Sequence, residues 1–160
     1  MSLKNRKILT LSETLQVFEY KTSTAFKVSL LLGAIAAGAD ENSLKLLEKF
    51  SRSIGIAYQI KDDLEDFKDE AGEFEIYKPS VLISLLQEKL TGTELTDFQD
   101  AYRENDIKII RKLAEGSTID QEAEMLLSDY IKESKECLDG FYNTGLKMAL
   151  HEILGNIFKE

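Results

Sequence analysis

The sequence contains very little cysteine, histidine or proline. Its 160 residues include one cysteine, Cys137, one histidine, His151, and one proline, Pro79. A single cysteine excludes an internal disulfide framework, and one cysteine with one histidine excludes a zinc site built from several such ligands. A single proline leaves most of the chain free to form long helices.

Long apolar runs and an excess of positive charge are also missing. The longest apolar stretch, residues 28–39, is shorter than the ~20 residues of a membrane-spanning helix, so no membrane span is expected. The formal net charge is -9, from 29 acidic and 20 basic residues, which disfavours nucleic acid as a partner. The first residues lack the apolar stretch of a signal peptide, and a cytoplasmic location is therefore expected.

Composition and periodicity predict an all-α fold. The chain is 43% hydrophobic and 31% charged, as is typical of a folded domain. Apolar residues recur at spacings of three and four, and strand-like alternation is absent. Six helices are predicted, from about Ser12 to Gly38, from Asn42 or Ser43 to Phe67 or Lys68, and over residues 81–90, 94–113, 119–138 and 144–158. Short connections favour an antiparallel helical bundle in one domain over residues 1–160, with residues 1–10 as a tag or disordered lead-in.

Three aspartates in the second predicted helix form the most specific chemical pattern. Asp62, Asp63 and Asp66 share an arc of roughly 100° with Gln59, beside the apolar stripe of the helix. Like charges one turn apart repel by a few tenths of a kcal/mol, so such a cluster is either solvated or neutralised by a cation. Mg²⁺ prefers oxygen ligands, and it binds through one or two carboxylates while phosphates and waters complete its shell. The pattern alone leaves both an acidic surface and a magnesium site open.

A strip of small residues follows Lys21 and Thr22 on the first predicted helix. It consists of Ala25, Ser29, Gly33 and Ala36. Such a narrow face either packs closely against another helix or lines a slot for a slender apolar substrate. In the second case Lys21, at the end of the strip, would hold a phosphate group.

Taken in order along the chain, these motifs resemble the trans-isoprenyl diphosphate synthases. The matching residues are Lys21-Thr22, Tyr58-Gln59, Asp62-Asp63-Leu64-Glu65-Asp66 and Tyr77-Lys78-Pro79-Ser80-Val81. The resemblance implies half of an isoprenoid synthase fold containing the second DDxxD motif. It implies a prenyltransferase in isoprenoid biosynthesis that condenses isopentenyl diphosphate with an allylic diphosphate and requires Mg²⁺.

The resemblance also assigns roles to individual residues. It gives catalytic roles to Lys21, Thr22 and Gln59, and diphosphate binding to Lys21, Gln59 and Lys78. It gives the metal to the second DDxxD motif, that is, to Asp62, Asp63 and Asp66.

The sequence departs from the family pattern in three places. Tyr58 replaces the usual phenylalanine, and the connection between Asp66 and Lys78 lacks a further phosphate-binding lysine, for which Lys68 is a weak substitute. The first DDxxD motif and its neighbouring Arg-Arg pair are absent. Because diphosphate departure needs cations on both walls of the cavity, the isolated chain is expected to be inactive. The missing N-terminal helices should leave apolar surface exposed, which predicts a homo-oligomer or another partner.

Two alternatives remain open at the level of sequence. A non-catalytic helical interaction module would explain the missing first motif, but it gives no reason for the lysines and aspartates to occur in the family's order. A terpene synthase relative is not expected to keep both the Lys-Thr and Lys-Pro-Ser elements. Product length and allylic substrate preference depend on residues near the missing first motif.

Overall fold

A computed structural model of the chain describes residues 7–69 and 74–158. These residues form eight α-helices and one π-helical segment, with no strand among them. The elements are α1 (Leu11–Phe18), the π segment (Glu19–Ser23), α2 (Thr24–Ala36), α3 (Glu41–Lys68), α4 (Val81–Lys89), α5 (Gly92–Glu104), α6 (Ile107–Ala114), α7 (Ile119–Asp139) and α8 (Thr144–Phe158). The predicted all-α class is confirmed. Within the described residues, no helix is both long and apolar enough to cross a membrane.

Two of the six predicted helices are interrupted in the structure. The first, predicted over residues 12–38, contains the π segment in its middle. The helix predicted over residues 94–113 ends at Asn105, which has a φ of 60° in the left-handed region. Asp106 then caps α6, accepting hydrogen bonds from the backbone N–H groups of Lys108 at 3.1 Å and Ile109 at 3.2 Å. Asn and Asp are preferred at these two positions, so Asn105-Asp106 was a readable boundary.

Helix α1 begins with a capping box formed by Thr10 and Glu13. The Thr10 backbone N–H donates to Glu13 Oε2 at 2.9 Å, and the Glu13 N–H donates to Thr10 Oγ1 at 3.2 Å. Lys7 Nζ lies 2.7 Å from Glu13 Oε1, and this hydrogen bond, with that from Thr10, lowers the pKa of Glu13 to about 2. Of the predicted lead-in, residues 1–6 lie outside the described residues.

The chain divides into two compact units, here called the first and second unit. The first unit comprises residues 1–17 and 60–125, and the second comprises residues 18–59 and 126–160. Helix α3 contributes to both, because its residues 41–59 belong to the second unit and its residues 60–68 to the first.

The core of the first unit includes α4, whose residues 81–86 are all buried. The buried Thr14 and Ser84 hydroxyls lie 2.7 Å apart, which ties α1 to α4. At the C-terminal end of α4, Lys89 Nζ lies 2.5 Å from Glu122 Oε1 of α7. Helix α4 is therefore covered by its neighbours.

The core of the second unit is formed by α3, α7, α8 and the segment after α7. Its fully or nearly buried members are Leu47, Phe50, Ile54, Cys137, Leu138, Phe141, Leu150 and Leu154. The π segment and α2 run antiparallel to α3, since Ser23 bonds to Arg52 whereas Lys27, further along, pairs with Glu48. This antiparallel arrangement of the first two predicted helices is the expected one.

Helix α2 differs from α4 because none of its residues is buried. Val28, Leu32 and Ile35 are 51%, 63% and 58% exposed. The strip of small residues on α2 is exposed as well. A methyl group added to Gly33 would meet no atom within 4 Å. The structure thus leaves an uncharged face of α2 uncovered.

Candidate diphosphate and metal site

Two carboxylates lie together at the end of α3. Asp62 and Asp66 are both exposed, and their spacing of four residues within an α-helix puts them on one side of α3. Neither carboxylate makes a hydrogen bond or ion pair with another of the described residues. The nearby acidic residue Glu65 is instead paired with Lys61 at 2.8 Å. Asp62 and Asp66 are therefore free to bind a cation.

Lys78 lies near this pair, on the connection that precedes α4. Its Nζ is 2.9 Å from Glu75 Oε1. The pKa of Lys78 is raised, mainly by the hydrogen bond to Glu75 and further by the negative charges of Glu75, Asp66 and Asp62. The first unit thus brings one predicted diphosphate lysine into the field of two predicted metal ligands.

Asp63 has a different environment from the aspartates beside it. Its Oδ2 accepts hydrogen bonds from Ser80 Oγ at 3.0 Å and from the Val81 backbone N–H at 2.6 Å, at the beginning of α4. Burial raises the pKa of Asp63 to about 7, although these hydrogen bonds act in the opposite direction. In the described part of the chain, no group of three His, Cys, Asp or Glu side chains is arranged to hold a metal ion. The two hydrogen bonds of Asp63 secure α4 to α3. Its role as a metal ligand stays a prediction.

The remaining oxygen donors fit Mg²⁺. This ion binds through one or two carboxylates and leaves its other positions to water and substrate phosphates. Asp62 and Asp66 provide two exposed carboxylates with no partner among residues 7–69 and 74–158, and Lys78 provides a cation for a phosphate beside them. The substitute lysine, Lys68, is instead paired with Glu124 at 2.9 Å.

The other predicted site residues belong to the second unit. Lys21 is exposed and Thr22 half-buried on the π segment, and Gln59 is half-buried on α3. None of the three side chains makes a hydrogen bond or ion pair within the described ranges. Their roles in diphosphate binding therefore stay predictions.

Tyr58, which stands where the family usually has phenylalanine, packs as an aromatic residue. Its ring meets the ring of Phe26 edge to face, with centroids 6.5 Å apart and an interplanar angle of 63°. The substitution thus keeps an aromatic contact between α2 and α3 beside Gln59.

Ser80, Gly55 and Ser23 organise these elements, in structural roles that were not predicted from the sequence. Ser80 precedes the apolar run of α4 and accepts from the Ile83 N–H at 3.2 Å, which its position before that run could have indicated. Gly55 and Ser23 form a close contact between α3 and the π segment. A glycine inside a helical pattern signals such a packing constraint.

Comparison with known proteins assigns the family. A sequence model described as polyprenyl synthetase matches residues 1–129. The chain belongs to the polyprenyl synthetase family. It is 31% identical over 147 residues to a geranylgeranyl diphosphate synthase of Sulfolobus acidocaldarius, covering 92% of this chain and 43% of the relative. It is 29% identical over 161 residues to a geranylgeranyl diphosphate synthase of Methanosarcina mazei, covering 96% and 49%.

Solved structures of polyprenyl synthetases have the same fold over about half their length. A polyprenyl synthase from Roseobacter denitrificans superposes with a TM-score of 0.84 at 20% identity, covering 94% of this chain and 53% of that structure. A geranylgeranyl pyrophosphate synthase from Lactobacillus brevis gives a TM-score of 0.82 at 20% identity, covering 99% and 52%. The predicted half of an isoprenoid synthase fold is confirmed, and the chain spans about half the length of the curated relatives it matches.

Proposed function

We propose that this chain is the metal- and diphosphate-binding C-terminal half of a prenyltransferase. The enzyme would condense isopentenyl diphosphate with an allylic diphosphate in isoprenoid biosynthesis. The supporting observation is the set of Asp62, Asp66 and Lys78, in which two exposed carboxylates, unpaired within the described part of the chain, lie near a lysine. The names of the relatives, which include geranylgeranyl and farnesyl diphosphate synthases, support the same reaction class.

In the proposed reaction, the bond between the allylic carbon and the diphosphate oxygen breaks, and the diphosphate leaves with the electron pair. The double bond of isopentenyl diphosphate supplies the electrons for the new carbon–carbon bond, and a proton is then lost. Bound Mg²⁺ would supply positive charge for the diphosphate as its negative charge develops. Asp62 and Asp66 would hold that ion.

The lysines and their polar neighbours would bind the diphosphate directly. Lys78 would exchange its hydrogen bond to Glu75 for one to a phosphate oxygen, and this exchange keeps the lysine charged. Lys21, Thr22 and Gln59, in the second unit, would bind diphosphate as the family resemblance implies. Asp63 would not touch the substrate; it would fix the beginning of α4, close to Lys78, by its bond to Val81.

A condensation assay on the isolated 160-residue chain tests the idea that it is half of a catalyst. Incorporation of radiolabelled isopentenyl diphosphate with an allylic diphosphate and Mg²⁺ should stay at background. Each missing contact to the departing group typically costs about 10²- to 10³-fold in rate, and a whole wall of such contacts is missing here. Turnover by the isolated chain would show that it does not need the metal-binding residues of the first DDxxD motif, and the proposal would be wrong.

Substitutions in a full-length synthase that contains this chain test the residue roles. Asp62→Ala and Lys21→Ala should each lower kcat/KM strongly, by about 10²-fold or more, because each removes a charge that contacts the departing diphosphate or its metal. Glu65→Ala is the matched control, since Glu65 is acidic, lies on the same helix and is paired with Lys61. Equal losses for Asp62→Ala and Glu65→Ala would mean that the acidic cluster is only a solvated surface.

The proposal includes a homo-oligomer and a cytoplasmic location. Support for association comes from α2, where Val28, Leu32 and Ile35 form an exposed apolar stripe at helical spacing. Sedimentation of the purified chain measures association directly. A monomer at all concentrations would count against self-association through α2.

A further inference from the structure

The two residues Lys21 and Thr22 are carried by a π-helical segment that α3 holds at both ends. At one end, Arg52 Nε pairs with Glu19 Oε2 at 3.1 Å. At the other end, the Ser23 hydroxyl donates to the Arg52 backbone oxygen at 3.0 Å. All these residues belong to the second unit. One turn of α3 therefore contacts both the first and the last residue of the π segment.

Gly55, one turn further along α3, lies against the backbone of Ser23. A methyl group on Gly55 would be 2.5 Å from Ser23 Oγ, 2.6 Å from its Cα and 2.7 Å from its backbone nitrogen. Such distances are well inside van der Waals contact, which for carbon atoms is about 3.5–4.0 Å. Because two of the three atoms are backbone, rotation of the Ser23 side chain cannot relieve the clash. Only glycine at position 55 allows the π segment to lie where it does.

We infer that Gly55 and Ser23 are positioning residues for Lys21 and Thr22. A π turn within an α-helix contains an additional residue, and such turns are rare and concentrate at functional sites. If Ser23 could no longer pack against α3, the segment would become α-helical with one residue fewer in its turn. The side chain of Lys21 would then be rotated by about 100° around the helix axis relative to α2. The role in diphosphate binding rests on the proposed function, whereas the geometry of the π segment does not.

The test compares two glycine substitutions in the 160-residue chain. Gly55→Ala introduces the clash with Ser23, and Gly33→Ala is the matched control, since its added methyl group meets nothing within 4 Å. The binding probe is inorganic diphosphate with Mg²⁺, titrated while ¹⁵N amide shifts are followed. Backbone ¹³C shifts and amide exchange of residues 19–23 report the π segment independently of any ligand.

Gly55→Ala should change the backbone shifts of residues 19–23 and weaken diphosphate binding by about tenfold, as expected for loss of one charge-assisted hydrogen bond. In a Lys21→Ala background, Gly55→Ala should cause no further loss, because both changes remove the same contact. Gly33→Ala should raise the melting temperature by about 2–4 °C, as Gly→Ala in an open helical position does, without changing the shifts or the affinity.

Three results would overturn the inference. They are unchanged shifts of residues 19–23 in Gly55→Ala, an affinity loss of the same size in the Lys21→Ala background, and a similar loss in Gly33→Ala. If Lys21→Ala itself leaves diphosphate affinity unchanged, the proposed function of Lys21 fails, while the shifts still decide whether Gly55 shapes the π segment.

A second variant keeps the inference testable if Gly55→Ala does not fold. Ser23→Ala removes only the hydroxyl that donates to the Arg52 carbonyl. It should speed amide exchange in residues 19–23 and weaken diphosphate binding by less than Gly55→Ala. Unchanged exchange and affinity in Ser23→Ala would overturn the inference equally well.

Discussion

Helices α2 and α4 are both apolar, yet they have opposite environments. Residues 81–86 of α4 are all buried, and α4 contacts α1 through Ser84 and α7 through Lys89. No residue of α2 is buried, although its sequence contains a single charged residue, Lys27. An apolar helix in a sequence therefore identifies a surface that is expected to pack against another element. That element need not belong to the described residues.

The largest expected effect is on core stability in α4. Leu86→Ala should lower the free energy of unfolding by about 2–5 kcal/mol, because a buried leucine leaves a cavity. Leu32→Ala in α2 is the matched change at an exposed position and should cost no more than about 0.5 kcal/mol. Urea denaturation at a concentration where the chain is monomeric measures both. Equal costs would mean that α2 is covered in solution.

The next effect concerns the cap that holds α4. Asp63→Ala removes the acceptor of the Val81 N–H and of the Ser80 hydroxyl, and should lower the free energy of unfolding by about 1–3 kcal/mol. Asp62→Ala is the control at the adjacent position, where no hydrogen bond is lost, and should be nearly neutral. Thermal and urea denaturation compare the two. A neutral Asp63→Ala would show that the bond to Val81 does not stabilise α4.

A smaller effect is expected on self-association. Leu32→Glu places a charge in the middle of the exposed stripe of α2, and it should weaken association by at least about tenfold, equivalent to ~1.4 kcal/mol. Sedimentation equilibrium measures the change, with Lys108→Gln on the exposed surface of α6 as a control that lowers the net charge equally. If Leu32→Glu associates as the parent chain does, the contact lies elsewhere.

The smallest effect is a pH dependence at the beginning of α1. The pKa of Glu13 is about 2, below its ordinary 4.5, so its charged form favours folding. This contribution is complete above about pH 4.5 and is lost as the pH falls towards 2. The stability difference between the parent chain and Glu13→Gln should therefore shrink over this range in urea titrations. A difference independent of pH would show that the charge of Glu13 has no part in the cap.

Local patterns in the sequence were enough to predict the fold class and most helices. Apolar spacing predicts α3, α4, α7 and α8, and the residue types of Asn105-Asp106 are those typical of the boundary between α5 and α6. The π segment could not be predicted, because it depends on the contact of Ser23 with Gly55, which are far apart in sequence.

The candidate site was predictable to a similar degree. Helical spacing indicated that Asp62 and Asp66 share one side of α3, but it could not show that Asp63 is directed to α4. That direction depends on where the Ser80-Val81 connection packs. Sequence spacing thus identifies the residues near a site, and tertiary packing decides which of them remain free to bind a ligand.

The central claim is that Asp62 and Asp66 bind a divalent cation together with a diphosphate. Electron paramagnetic resonance of Mn²⁺, used in place of Mg²⁺, measures this directly as the free-ion signal lost on adding the 160-residue chain and inorganic diphosphate. Asp62→Asn and Asp66→Asn should each weaken Mn²⁺ binding by at least about tenfold, whereas Glu65→Gln and Asp63→Asn should bind like the parent chain. Unchanged binding in both Asp62→Asn and Asp66→Asn, or loss of binding in Glu65→Gln, would contradict the account.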